Sequence, residues 1–115
     1  MADRALFLGW TRAVAGREQQ AMELFQKAMD YYGKLQADGL IESFEPVLLQ
    51  AHGGDLNGFV LLRSDAEKIA KIRQDDAFID FSMEAGYCLQ GFGIVEGIIG
   101  EGIPDAFSRW SKLIG

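Results

Sequence analysis

Along this chain the spacing of apolar residues switches between two and three-to-four, and the order of those switches limits the folds open to it. Residues 5–14, ALFLGWTRAV, alternate: Leu6, Leu8, Trp10 and Arg12 point one way, Phe7, Gly9, Thr11 and Ala13 the other, as side chains of a strand do. From about Arg17 the spacing becomes helical, with Ala21, Leu24, Phe25, Ala28, Tyr32 and Leu35 on one stripe, Met22 and Met29 as flexible filler beside it, and Gly39 as the stop. Period two returns from Leu40 to His52, where Pro46 predicts an edge strand or a bulge and leaves strand parity open by one residue. Gly53-Gly54-Asp55 then turns the chain into a third strand, residues 56–63, with Phe59, Leu61 and Arg63 on one side and Gly58, Val60 and Leu62 on the other.

The second helical stretch opens with Ser64-Asp65-Ala66-Glu67, a capping-box pattern that makes Ser64 the expected N-cap. Asp75 or Asp76 restarts it after a bend, and it runs on through Phe78, Ile79, Phe81 and Met83 to Gly86. A fourth strand follows at residues 91–100, GFGIVEGIIG, with Gly93, Val95, Gly97 and Ile99 opposite Phe92, Ile94, Glu96 and Ile98. Its glycines lie inside a strand, not at a strand-to-helix turn, so no dinucleotide fingerprint is formed. The tail from Ile103, with Pro104 in its first turn, predicts a short final helix.

Composition narrows the function classes. The chain has 115 residues, 49% of them hydrophobic, and 17 acidic against 11 basic side chains for a formal charge of −6. One domain, residues 1–115, is expected. Nothing like the clustered cations of a nucleic-acid surface is present, and no apolar run approaches the length that spans a bilayer. The lone Cys88 cannot close an intrachain disulfide, so a cytoplasmic protein is expected. Asp75, Asp76, Asp80 and Glu84 are read as a cap plus a solvated helix face, since the calcium-loop pattern is missing. No metal and no cofactor are expected.

The order β-α-β-β-α-β predicts an α+β, ferredoxin-like chain with a four-stranded antiparallel sheet, two helices on one face and a short C-terminal helix. If helices approach the sheet over small side chains, the Gly9/Thr11/Ala13, Gly58/Val60/Leu62 and Gly93/Val95/Gly97 sides lie beneath them. The other face then carries Leu6, Leu8, Trp10, Phe44, Leu48, Phe59, Leu61, Phe92, Ile94 and Ile98. So large an apolar patch needs a cover, and a second copy of the chain, packed sheet to sheet, supplies it.

This element order and patterning resemble the dimeric α+β barrel superfamily, over roughly residues 6–100. That group includes antibiotic-biosynthesis-type monooxygenases, stress-responsive barrel proteins, muconolactone isomerases and YCII-related proteins. The resemblance implies a homodimer with a space between its sheets, and transfers no catalytic residue. The polar residues expected around that space are Arg12, Gln50, His52, Arg63 and Glu96. Arg12 and Arg63 are placed near one end of neighbouring parallel strands, and Arg12 is the expected partner of Glu96, since an unpaired buried carboxylate is costly. Trp10, Arg12, Glu96 and Arg63 are thus the candidate ligand-binding residues for a small aromatic or anionic compound, and Glu96 and His52 the candidate catalytic ones. His52 is also read as a residue flanking the glycine turn, and Glu96 as half of a purely structural pair. Two functional readings follow: a noncatalytic small-molecule-binding or assembly module, and a cofactorless oxygenase or isomerase acting on a small aromatic or enolic compound between the sheets.

Overall fold

The computed structural model describes all residues, 1–115. Strand β1 is Arg4–Trp10, followed after a bend at Thr11 by a two-residue strand β2, Arg12–Ala13. Helix α1 is Glu18–Ala37, β3 is Ser43–Leu48 and β4 is Gly58–Ser64. Helices α2, Ala66–Gln74, and α3, Asp76–Cys88, meet at Asp75, where the sequence predicted a restart. A two-residue strand β5, Leu89–Gln90, then leads to β6, Gly93–Ile98, and α4, Gly102–Ile114. The main sheet has the order β3-β4-β1-β6 with every pair antiparallel, so the fold is α+β and ferredoxin-like. No helix is long and apolar enough to cross a membrane.

The end of α1 and the start of α2 each have a local cause. Leu24, Ala28, Tyr32 and Leu35 are the buried residues of α1, three or four apart, and Gly39 takes a φ of 77° just past its end. At the start of α2 the cap is Asp65 and not Ser64: the Lys68 amide donates to Asp65 Oδ1 at 2.9 Å. Ser64 is the last residue of β4, and its buried hydroxyl donates to the Leu40 carbonyl at 2.7 Å. The expected capping box is displaced by one residue because the strand keeps Ser64. Pro46 lies in β3, an edge strand, in unbroken register opposite Val60, so there is no bulge.

Side-chain parity corrects the sequence reading on three of four strands, β1, β3 and β6. Across antiparallel partners, Leu6 lies opposite Leu62 and Leu8 opposite Val60, so these four share a face, and all are buried. They form the core with Tyr32, Leu35, Ile69, Ile72 and Phe78 from the helices, and Trp10, Phe44, Phe92 and Ile94 pack against it. The helices therefore cover the bulky sides of β1 and β6, contrary to the small-residue rule, and the Phe44 and Leu48 side of β3, which was expected on the open face, while on β4 the Val60 and Leu62 side is covered as expected. The open face carries Phe7, Val47, Phe59, Leu61 and Val95, with the Phe7 and Phe59 rings stacked at 5.0 Å. Size failed as a guide because the helices do not press onto the sheet. They stand off from it, and large side chains fill most of the gap.

Candidate functional site

The remainder of that gap is a cavity of about 300 Å³ at the end of the sheet where β1 finishes. Fourteen residues line it and all are apolar or aromatic. Leu8, Trp10 and Val60 form its floor on the sheet; Leu24, Phe25, Ala28 and Tyr32 of α1 form its roof; Phe81, Leu89 and Phe92 close one side. Met22 and Leu48 also line it and are 64% and 71% exposed, which places the mouth beside them, while Leu8 and Tyr32, at 1% each, mark the inner end.

The cavity follows from how β1 ends. At Thr11 the chain leaves the main sheet: the Thr11 amide donates to the Gln90 carbonyl at 2.8 Å, and Arg12 and Ala13 pair with Gln90 and Leu89. The strand-to-helix connection is thereby swung over to β5. Trp10, the last residue before the departure, is held by the Asn57 amide, which donates to its carbonyl at 3.0 Å. Its indole lies across Gly58 on β4 and meets Phe25 of α1 edge-on at 6.2 Å. Glycine is needed at 58, since a Cβ there would stand 2.6 Å from the Trp10 ring.

Electrostatically the cavity is bare. Tyr32 is the only lining residue that can ionise, and burial pushes its phenol well above the ordinary tyrosine value, with Tyr31 adding to the shift. It therefore stays protonated at neutral pH. Tyr31, its neighbour in sequence, donates instead to Asp75 Oδ2 at 3.0 Å, tying α1 to the junction of α2 and α3. Cys88 is buried close by, in a small cluster with Leu24 and Ala85, and burial raises its thiol too, with a further contribution from Glu84.

Of the residues singled out from sequence, Trp10 lines the cavity and the others stand elsewhere. Glu96 lies opposite Leu6 on the exposed edge strand β6, while Arg12 is exposed on β2, so the expected Arg12–Glu96 pair is not formed. The two arginines are at opposite ends of antiparallel strands, not the same end of parallel ones: Arg63 lies opposite Ala5 at the start of β1, and Arg12 lies past its end. Arg63 instead donates to Glu45 Oε1 at 2.9 Å on the open face. His52 sits in the exposed loop between β3 and β4, its Nε2 2.7 Å from the Leu56 carbonyl and its Nδ1 accepting from the Gly54 amide at 3.3 Å. Both ring nitrogens thus serve the loop itself. Among His, Cys, Asp and Glu no group is clustered to hold a metal ion. Sequence reasoning treated Tyr32, Phe25 and Ala28 only as core; the helical stripe identified them as buried, but nothing in it shows that the layer beneath is incompletely filled.

No family model matches this chain, and no curated protein matches its sequence. Solved structures do match its fold. A dimeric protein of unknown function and ferredoxin-like fold from Bacteroides fragilis superposes with a TM-score of 0.59 at 8% identity, over 84% of this chain and 96% of that one. The hydroxynitrile lyase of Passiflora edulis gives a TM-score of 0.65 at 10% identity, over 88% and 97%. The cofactor-independent oxygenase SnoaB from Streptomyces nogalater gives 0.51 at 14% identity, over 86% and 93%. At such identities the likeness shows a shared fold, and one fold carries unrelated activities.

Proposed function

We propose that this protein binds a small, largely aromatic molecule in the cavity between α1 and the sheet, and that it does so as a homodimer joined through the open sheet face. The observation that carries the binding reading is the lining itself: fourteen apolar or aromatic residues around about 300 Å³, buried at one end and open at the other. A closed apolar void of about half that size accommodates benzene, so one or two fused rings suit this space. The same lining favours binding over proton-transfer chemistry, because Tyr32 is its only ionisable side chain and is held protonated. The homodimer rests on the uncovered Phe7, Val47, Phe59, Leu61 and Val95, and the dimeric state of the Bacteroides protein supports it.

The test uses Trp10 as its own reporter, in a Trp110→Phe background. Mono- and bicyclic aromatic hydrocarbons should change Trp10 emission saturably and raise the melting temperature, as any ligand of the folded state does. Ala21, a half-buried lining residue, should tolerate Ala21→Phe while the new ring occupies the cavity. That variant should remain folded and lose both responses. Failure of every compound to move either signal in the unmodified cavity would refute the binding reading.

A further inference from the structure

Tyr32 poses a problem that the apolar character of the cavity does not solve. It is 1% exposed, yet its hydroxyl takes part in none of the hydrogen bonds of the protein, whereas the half-buried Tyr31 beside it has Asp75. The causes of its raised pKa are desolvation and the nearby Tyr31, with no hydrogen bond among them. On a residue so enclosed, the little surface still accessible includes that oxygen, because Asp3 Oδ1 is the one fully enclosed side-chain polar atom without a partner. The ring alone already accounts for the packing, against Phe44 at 5.9 Å and Phe81 at 6.0 Å. That leaves the oxygen free to bond a molecule that enters the cavity Tyr32 lines.

Position indicates where such a molecule would meet it. Among the lining residues of α1, Tyr32 is the most C-terminal, behind Ala21, Met22, Leu24, Phe25 and Ala28. Long helical side chains lean back toward the helix N-terminus, which here is the direction of the cavity and its mouth. Water is a poor partner in this place, since a buried water wants two to four polar groups, as a rule, and beside the hydroxyl the lining side chains offer only the Trp10 indole N–H. A ligand that brings its own acceptor is a good partner. A phenol donates more readily than it accepts, because its oxygen lone pair is delocalised into the ring, so the complementary group is an oxygen without a proton of its own.

We infer that Tyr32 is the polar anchor of this cavity, donating one hydrogen bond to the carbonyl oxygen of an otherwise apolar aromatic ketone. This rests on the ligand-binding reading above and narrows it from aromatic molecules in general to those with one buried carbonyl. Tetralin and 1-tetralone share a bicyclic skeleton and differ by one ring ketone, which makes them a suitable pair of probes. Calorimetric titration of the full-length protein should show Tyr32→Phe weakening 1-tetralone by about tenfold, the usual scale for a lost buried hydrogen bond. Tetralin should be unaffected. The carbonyl stretch of 1-tetralone bound to the wild type should also fall relative to the ketone in hydrocarbon, a readout that needs no variant.

The outcomes separate. Equal loss for both ligands would assign Tyr32 a packing role and overturn the inference. So would an unchanged affinity for 1-tetralone, or an unshifted carbonyl band, while tetralin binding left the cavity as a purely apolar site. Binding by neither probe would remove the ligand-binding reading itself, and this inference with it.

Discussion

Gly58 and Trp10 form the contact on which the cavity floor depends. The indole lies over β4 because residue 58 has no side chain: a Cβ there would meet Trp10 Cζ2 at 2.6 Å and Cε2 at 2.8 Å. The ring cannot retreat into the sheet, so the free direction is upward, into the cavity and toward Phe25, which it already meets edge-on. Gly58→Ala should therefore do two things together. It should lower stability by about 1–3 kcal/mol, the range for overpacking a filled core, and it should weaken aromatic ligands by narrowing the cavity. Thermal unfolding and ligand titration on the same samples check both. A stability loss with unchanged ligand affinity would show that the indole moves elsewhere and is not the floor of the site.

At the scale of elements, the start of α2 separates two adjacent residues that look interchangeable in sequence. Asp65 caps the helix through the Lys68 amide, and Ser64 closes β4 by bonding the Leu40 carbonyl. Asp65→Ala should cost about 1 kcal/mol as a lost cap. Ser64→Ala should cost a similar amount for another reason, a buried carbonyl left short of a donor. Amide exchange distinguishes them: Asp65→Ala should speed exchange in the first turn of α2, and Ser64→Ala should not. The same adjacency shows what the sequence made legible. Order and type of the main elements could be read because period and glycine stops are local signals, as at Leu24, Ala28, Tyr32, Leu35 and Gly39. Pro46 limited its strand to an edge or a bulge for the same reason, since a missing donor needs no knowledge of its neighbours, and the register shows the edge. The covered faces of β1, β3 and β6 could not be read, because both sides of each strand carry apolar residues and only packing against the helices decides between them. Nor could the cavity, which depends on β1 breaking at Thr11 to pair with β5, a two-residue ladder with no periodicity to announce it. Arg12 was drawn into the site on the assumption that the strand continued straight.

For the molecule as a whole, shape bears on assembly. Its principal extents are 53 × 37 × 21 Å, and its radius of gyration is 15.6 Å, against about 13 Å for a compact domain of roughly this size. The thin dimension corresponds to one helical layer on one sheet, since a helix with its side chains is about 10–12 Å across. The far side of that sheet carries no helix, although Leu56 of the loop before β4 reaches Gly9 there, and it presents Phe7, Phe59, Leu61, Val47 and Val95, with the Arg63–Glu45 pair toward one end. A matching sheet from a second copy would complete the layering and remove those side chains from water. Leu61 is the residue on which to test this, because it faces Phe7 across the open side and takes no part in the helix-covered core. Leu61→Asp would place an unpaired charge in a desolvated interface, at a cost of several kcal/mol, but in the separated protomer the carboxylate would reach solvent. The variant should therefore sediment as a folded monomer at concentrations where the wild type is a dimer. Leu6→Asp, on the covered face where Leu6 is 0% exposed, should unfold the chain instead. A wild type that sediments as a monomer at micromolar concentration would show that the open face is not a self-interface.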